Sequence, residues 1–228
     1  MNHYDYCARL IAPGEEILDV GAGKGVFICE MAKRGFKMFG IEVNPAYIAQ
    51  AQERARAEGV SISLALGNAE KLPYETGRFS FVNVSEVTEH VNDPVAMCME
   101  IYRVLRPGAK AYISFHNRFG VYDFHYHLYF INWLPRAWTE FILKLIHRQK
   151  LDGEAGRQKL TTMHYYKYGQ VKKLLENLGF KVKDIRVGKI KKIFPVLSIV
   201  VLPVYFILFR PLCFNTFHVL IVKSLGLK

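Results

Sequence analysis

Residues 17–25 read Ile-Leu-Asp-Val-Gly-Ala-Gly-Lys-Gly, and no other stretch constrains the fold as tightly. A short, mostly apolar run enters a turn of three glycines, and the Val-Phe-Ile-Cys-Glu-Met-Ala that follows has helical spacing. Such a strand–turn–helix lets a ligand lie against bare main chain, because Gly21 and Gly23 carry no Cβ to exclude it. In open α/β sheets, nucleotide-type ligands bind at these strand ends. A dinucleotide fingerprint, G-x-G-x-x-G, places two residues between its second and third glycines. Here Lys24 alone separates Gly23 from Gly25. No G-x-x-x-x-G-K-[ST] occurs either, so a phosphate-binding P-loop is unsupported. Asp19 stands at the strand end just before the turn, where a carboxylate suits a cationic ligand and opposes a pyrophosphate.

The residues that follow repeat one unit. Residues 37–43 read as a second buried strand, and Glu42 lies about 20 residues after the turn, the place from which an acidic side chain reaches ribose hydroxyls. Asn44-Pro45 fits a helix N-cap with proline at the first helical position, and residues 46–56 continue as helix. Residues 61–66 alternate like a third strand, 67–73 form a loop, and 79–85 a fourth strand. Asp93-Pro94 caps a further helix through Leu105 that stops at Arg106-Pro107-Gly108, and 110–115 form a fifth strand. Alternating strands and helices imply a parallel sheet covered on both faces.

In the order ILDVGAGKG, GIEVNP, GNAEKLP, FSFVNVSEVTEHVNDP and EIYRVLRPGA, then YKYGQVKKLLENLGFKV and FHVLIVKS, the chain resembles the class I S-adenosylmethionine-dependent methyltransferases over residues 15–117 and 164–224. It is similar in particular to the small-molecule enzymes of the ubiquinone-biosynthesis type. The resemblance implies a Rossmann-like, mostly parallel seven-stranded α/β sheet with helices on both faces. It also implies S-adenosyl-L-methionine as cofactor, with Asp19, Gly21, Ala22 and Gly23 at its methionine end, Glu42 at the ribose, Asn68 and Ala69 flanking the adenine, and Val43 and Ser85 completing the set. Asn68 stands where family members usually carry Asp; it keeps an acceptor oxygen and adds a donor. Ser80 stands where Asp is frequent, and only residues 1–13 precede the first strand, so any N-terminal lid is short.

Residues 85–90, Ser-Glu-Val-Thr-Glu-His, follow the fourth strand on the side where a transferred methyl group would sit. His90 is the candidate catalytic base, since histidine titrates near neutrality. The pattern E-x-x-E-H is also similar to that of quinone-biosynthesis O-methyltransferases and small-RNA terminal methyltransferases, where Glu86, Glu89 and His90 would correspond to ligands of a divalent cation. A purely structural role is the third reading, and no metal is assigned on sequence alone. The reaction that the resemblance implies, an in-line methyl transfer, is driven mainly by positioning, which contributes roughly 7–11 kcal/mol.

Charge divides the chain. Residues 1–117 hold 12 basic and 14 acidic side chains, whereas residues 118–228 hold 19 and 6. A nearly neutral cofactor half beside a strongly basic remainder points to an anionic surface, nucleic acid or lipid. Two segments favour lipid. An insertion at 118–160 mixes aromatics with basic residues, and its helix carries the apolar stripe Phe141, Ile142, Leu145 and Ile146; the same segment also fits a lid over the site. A basic run at 181–192 precedes 193–209, which has no charge and is interrupted by Pro195 and Pro203. A spanning helix there would separate the last strand from its sheet. The expectation is therefore a kinked or re-entrant apolar hairpin within 189–215 that dips into one leaflet, with a buried helical insertion or a dimer interface as alternatives.

The reading is thus a single domain over 1–228, acting on a small-molecule or lipid-like acceptor at a membrane through its basic C-terminal half, cytoplasmic and at the inner face of that membrane. Nucleic acid is disfavoured by the absence of a [D/N/S]-P-P-[Y/F] loop; a cofactor-binding scaffold without catalysis is the remaining alternative. Of the other histidines, the pair His125 and His127 can face an acceptor. Cys7, Cys29, Cys98 and Cys213 show no ligand spacing, and the polar start resembles no signal peptide.

Overall fold

A computed structural model describes residues 2–150 and 158–224. Its elements follow the alternation closely: α1 (His3–Ala8), β1 (Glu16–Val20), α2 (Val26–Lys33), β2 (Lys37–Glu42), α3 (Pro45–Ala57), β3 (Ile62–Leu66), β4 (Phe79–Val84), α4 (Pro94–Val104) and β5 (Leu105–His116). The caps form as their residues dictate. Asn44 accepts from the N–H of Ala46, and Asp93 accepts from those of Val95 and Ala96, each with proline in the first turn. One boundary moves. Arg106-Pro107-Gly108 does not precede the fifth strand but lies inside it, at an irregularity in the pairing of β4 with β5. A proline is tolerated in a strand at such a place.

After β5 come a small hairpin, β6 (Tyr122–Asp123) with β7 (Leu128–Tyr129), and α5 (Arg136–Leu145). Then α6 (Tyr168–Asn177), β8 (Phe180–Asp184), α7 (Ile185–Ile193), α8 (Ser198–Val204), a π-turn at Tyr205–Phe209, the single turn α9 (Arg210–Leu212) and β9 (Thr216–Lys223) complete the described chain. Seven strands form one sheet in the order β3-β2-β1-β4-β5-β9-β8, parallel from β3 to β5, with β9 antiparallel to both its neighbours. The order reverses between β1 and β4, so the crevice at their carboxyl ends is the topological switch point where ligands bind in such sheets.

Strand periodicity sends successive side chains to opposite faces. Leu18 and Val20 of β1 join a core with α4 and α6, whereas Ile17 joins one with α1 and α2. In β9, Phe217, Val219 and Ile221 take the first face and Leu220 the second. Burying each such side chain stabilises by roughly 1.5–3 kcal/mol. The two cores hold the crevice residues between rigid walls.

The insertion after β5 forms its own small core from Tyr126, Ile131, Leu143, Leu160 and Met163. Asp123, buried, pins it by accepting from Asn132 Nδ2 (2.7 Å), the Tyr165 hydroxyl (2.6 Å) and the N–H groups of His125 and Tyr126. Part of this insertion, residues 151–157, lies outside the described residues. The apolar run between β8 and β9 forms a helical arm: α8 carries Pro203 in its interior and passes directly into the π-turn. The buried-insertion alternative fails, because α8 has no buried residue and Ile193, Val196, Leu197, Ile199, Val200 and Ile207 are all exposed. Among the described residues no helix is long and apolar enough to cross a membrane.

Candidate active site

The glycine turn divides its labour in a way the spacing does not reveal. Gly21, Gly23 and Gly25 all have positive φ, at 72°, 52° and 80°. A Cβ on Gly21 would lie 2.4 Å from Val87, and one on Gly25 2.7 Å from Ala51, so these two serve close packing of the turn on its neighbours. Gly23 differs, since a Cβ there would meet nothing within 4 Å. Gly23 is thus the glycine of the turn whose Cβ position is open space. The N–H groups of Gly21 and Ala22 are spent on Ile41 O, which fixes the turn to the end of β2.

Glu42 ends β2 and closes the turn from the other side. Its carboxylate accepts from Gly23 N (2.8 Å) and Asn44 N (2.9 Å), one bond on each oxygen. A carboxylate has about four acceptor sites, so two remain for hydroxyl groups. Val43 beside it is 65% exposed, a bare apolar face suited to a flat ring. Ala69 is buried, and Asn68 is exposed with its Oδ1 accepting from Glu70 N (3.0 Å). The Asn68 oxygen is thus engaged in its own loop, and the amide nitrogen is the group it adds to the crevice edge.

Asp19 is buried and accepts from Asn83 Nδ2 (2.7 Å), while Asn83 Oδ1 faces His3 Nε2 (3.0 Å). Burial pushes its carboxyl up to about 7, with the Asn83 hydrogen bond pulling the other way and the Glu42 charge adding to the rise. A carboxyl so placed ionises more readily when a cation sits beside it.

Six side chains meet at the carboxyl ends of β4 and β5. Glu86, in the left-handed region at φ 57°, is held by Ser114: its N–H donates to Ser114 Oγ (2.8 Å), which donates back to Oε1 (3.2 Å). Such a backbone state in a non-glycine residue costs on the order of 1–2 kcal/mol and is typical of functional sites. His116 Nε2 lies 2.8 Å from Glu86 Oε2 and 3.1 Å from Glu89 Oε1. Burial opposes a charge on His116, but the two carboxylates outweigh it and hold its pKa at about 10. Desolvation likewise opposes the charge on Glu86, and His116 with Ser114 brings it down to about 2.

Glu89 is fully buried, and its Oε1 has no properly aligned hydrogen-bond donor. His90 Nε2 stands 3.6 Å and His125 Nε2 3.8 Å from that oxygen. The tautomer of His90 follows from its neighbours. Gln158 donates its amide to Thr162 O, so its Oε1 faces His90 Nδ1 at 2.9 Å and that nitrogen carries the proton. His125 is neutral, its pKa held at about 4 by burial and the charge of His116. A proton or a cation among these atoms completes the electrostatics; Glu89, His90 and His125 form one possible ligand set, and Glu86, Glu89 and His116 another.

The structure brings His90 to Glu89 but splits the triplet that the E-x-x-E-H spacing suggested: Glu86 and Glu89 meet His116, whereas Glu89 and His90 meet His125. Ser114 and His116 join them, which sequence reasoning did not weight. His116 had a signal, as the last residue of a strand beside the fourth. Of the histidine pair, His125 belongs to the site, whereas His127 turns to the Tyr122 hydroxyl (3.1 Å). Ser85 is half-buried at the end of β4 beside this cluster.

Residues 18–113 match the family model of the methyltransferase domain. Over those residues the chain is similar to methyltransferase domains, and its seven-stranded sheet has the Rossmann-like methyltransferase fold. Among its curated relatives, the ubiquinone biosynthesis O-methyltransferase of Hahella chejuensis is 33% identical over 144 residues, 59% of each chain. The chain spans about half the length of the curated relatives it matches. In fold it is similar to a SAM-dependent methyltransferase of Methanosarcina mazei (TM-score 0.64, 19% identity, 99% of this chain and 100% of that one). It is also similar to phosphoethanolamine N-methyltransferase 2 of Haemonchus contortus in complex with S-adenosyl-L-methionine (TM-score 0.63, 17% identity, 96% and 51%). The residues fit S-adenosylmethionine, the ligand in the Haemonchus structure: open main chain at Gly23, a half-used carboxylate at Glu42, an exposed apolar face at Val43 and a titratable Asp19.

Proposed function

We propose that this chain methylates a hydroxyl group of a small or lipid-linked acceptor, using S-adenosylmethionine, at or near a membrane surface. The observation that carries the reading is the pairing of two features at one sheet end, the open Gly23 cradle and the Glu89–His90 dyad. S-adenosylmethionine bound in the cradle supplies an activated methyl on a sulfonium, whose sulfur keeps the bonding pair as the acceptor oxygen takes the methyl. Asp19 lies on the cationic side, and Glu42 accepts the ribose hydroxyls. His90 would take the acceptor's proton as general base, and the Glu89 carboxylate, 3.6 Å from its ring, would stabilise the imidazolium that forms. His116, charged, holds the Glu89 carboxylate in place. The relatives' printed name, a ubiquinone biosynthesis O-methyltransferase, supports oxygen as the methylated atom and a ring-bearing, lipid-soluble acceptor. The basic C-terminal half supports a membrane location at the inner, cytoplasmic face.

The test is transfer of a labelled methyl group from S-adenosylmethionine into a cell lipid extract. Label in an organic-soluble product is expected. Label in RNA or DNA alone, or in neither fraction, would overturn the reading. The unsatisfied Glu89 Oε1 favours a second reading, in which a divalent cation sits on Glu86, Glu89 and the imidazoles and lowers the acceptor's pKa. Loss of turnover on chelation, restored by magnesium or zinc, selects that reading over the base.

The pKa of Asp19 gives a sign. Its folded value is raised, so the stability it contributes is present below the unfolded value and is lost as pH rises through about 7. Asp19→Asn should therefore melt above the wild type at pH 8 and by a smaller margin at pH 5. Ligand affinity runs the opposite way. Relative to Asp19→Asn, wild-type affinity for S-adenosylmethionine should rise about tenfold from pH 6 to pH 8, as the carboxyl ionises. Parallel affinity profiles for the two proteins would show that Asp19 does not face the cofactor.

A further inference from the structure

The arm between β8 and β9 is the largest feature that methyl transfer leaves unused. Its apolar side chains face outward: Ile199 is 82% exposed, Val196 80% and Ile207 77%, with Leu197, Val200 and Leu208 beside them. A patch of this kind marks an interaction surface. Between positions 185 and 212 the chain carries five basic residues and no acidic one. Arg186 and Arg210 are used internally, the first donating to Thr216 O (2.6 Å) and the second lying 3.8 Å from Asp184 Oδ2. Lys189, Lys191 and Lys192 are exposed at the end of α7, next to the apolar surface, and none forms an ion pair with a described residue.

Charge selects the occupant. A second copy of the arm would bring the same lysines and no carboxylate to meet them. A bilayer bearing phosphate headgroups offers anions at its surface and hydrocarbon immediately beneath, the complement of a lysine row beside an apolar face. The helices of the arm are short and broken, so they suit lying in the interface and not crossing it.

The sheet register adds where the arm sits. Asp184 at the end of β8 pairs with Val219, and Thr216 at the start of β9 pairs with His116 at the end of β5. The arm therefore leaves the sheet at the same end as the Glu86–Glu89–His116 cluster. Asn117, next to His116, donates its side-chain amide to Pro211 O (3.0 Å) and Phe214 O (2.7 Å), tying the arm's return limb to the site. Tyr205, the one buried residue of the π-turn, donates to Asp184 Oδ2 (2.7 Å) and fixes the other limb.

We propose that α7–α9, with the turns joining them, is an interfacial anchor that embeds its apolar face in one leaflet of an anionic bilayer and sets the His116 end of the active site at the lipid surface. The inference rests on the membrane part of the proposed function and is independent of its chemistry.

The test is flotation of the full chain with vesicles of phosphatidylcholine mixed with phosphatidylglycerol, and with phosphatidylcholine alone. S-adenosylhomocysteine affinity and solution mass are measured on the same samples. The wild type should float with the anionic vesicles as a monomer. Lys189→Glu/Lys191→Glu/Lys192→Glu should bind them on the order of 100-fold more weakly, as three lysines at such a surface imply. Ile199→Glu/Ile207→Glu should remain in the soluble fraction. Both variants should bind S-adenosylhomocysteine like the wild type, which separates failure of the anchor from failure of the cofactor site. Unchanged flotation of Ile199→Glu/Ile207→Glu would overturn the anchor while sparing membrane association. A wild type that ignores both vesicle types would overturn the two together. A wild-type dimer that the isoleucine variant splits, with flotation retained, would assign the surface to a second copy.

Discussion

His90→Ala should lower turnover by about 10²–10⁴-fold, the usual contribution of a positioned base, while leaving S-adenosylmethionine affinity within a few-fold of the wild type. His90 is exposed, so its loss leaves the core intact. Glu89→Gln should cost a similar factor, because a neutral amide cannot stabilise the imidazolium 3.6 Å away. The informative measurement is the double variant. Residues that act as one unit are not additive, so His90→Ala/Glu89→Gln should be no slower than the worse single variant. Multiplying losses would mean that the two residues act separately. Near-normal turnover of His90→Ala would leave positioning alone to drive the reaction.

Gly23→Val should weaken S-adenosylmethionine binding by at least about 100-fold, near 2.7 kcal/mol. Two effects add. The residue sits at φ 52°, where an L side chain costs roughly 1–2 kcal/mol. The new side chain also projects into space that nothing in the protein fills. The melting temperature should fall only by the smaller, backbone part. Titration calorimetry beside a thermal melt separates the two effects: weakened binding in a folded protein is expected, and unchanged affinity would place the cofactor elsewhere.

The sequence carried the sheet because the inner parallel strands β1, β2 and β4 are largely buried on both faces and so read as apolar runs, the edge strand β3 shows by alternation, and Asn44-Pro45 and Asp93-Pro94 mark helix starts through local hydrogen bonds. The same local logic fails where an outcome depends on distant contacts. Arg106-Pro107-Gly108 looks like a stop, yet it lies in a strand because β4 accommodates an irregularity opposite it. Gly21 and Gly23 look equivalent in the motif; only Val87, some 60 residues on, tells them apart. His90 was legible from its spacing to Glu89. His125 was legible only as one of a pair with His127, and it is the insertion anchored by Asp123 that carries His125 to Glu89. The outward face of the arm was legible in part, since an uncharged run with two prolines describes composition and not the direction in which its side chains point.

The central claim is that the end of β1, with Glu42 across the crevice, holds S-adenosylmethionine. Calorimetric titration of S-adenosylhomocysteine into the wild type and into Glu42→Ala tests it most directly. One site per chain is expected for the wild type, with affinity at least tenfold weaker once the ribose loses its acceptor. A wild type that takes up no ligand, or a Glu42→Ala protein that binds as tightly as its parent, would contradict the account.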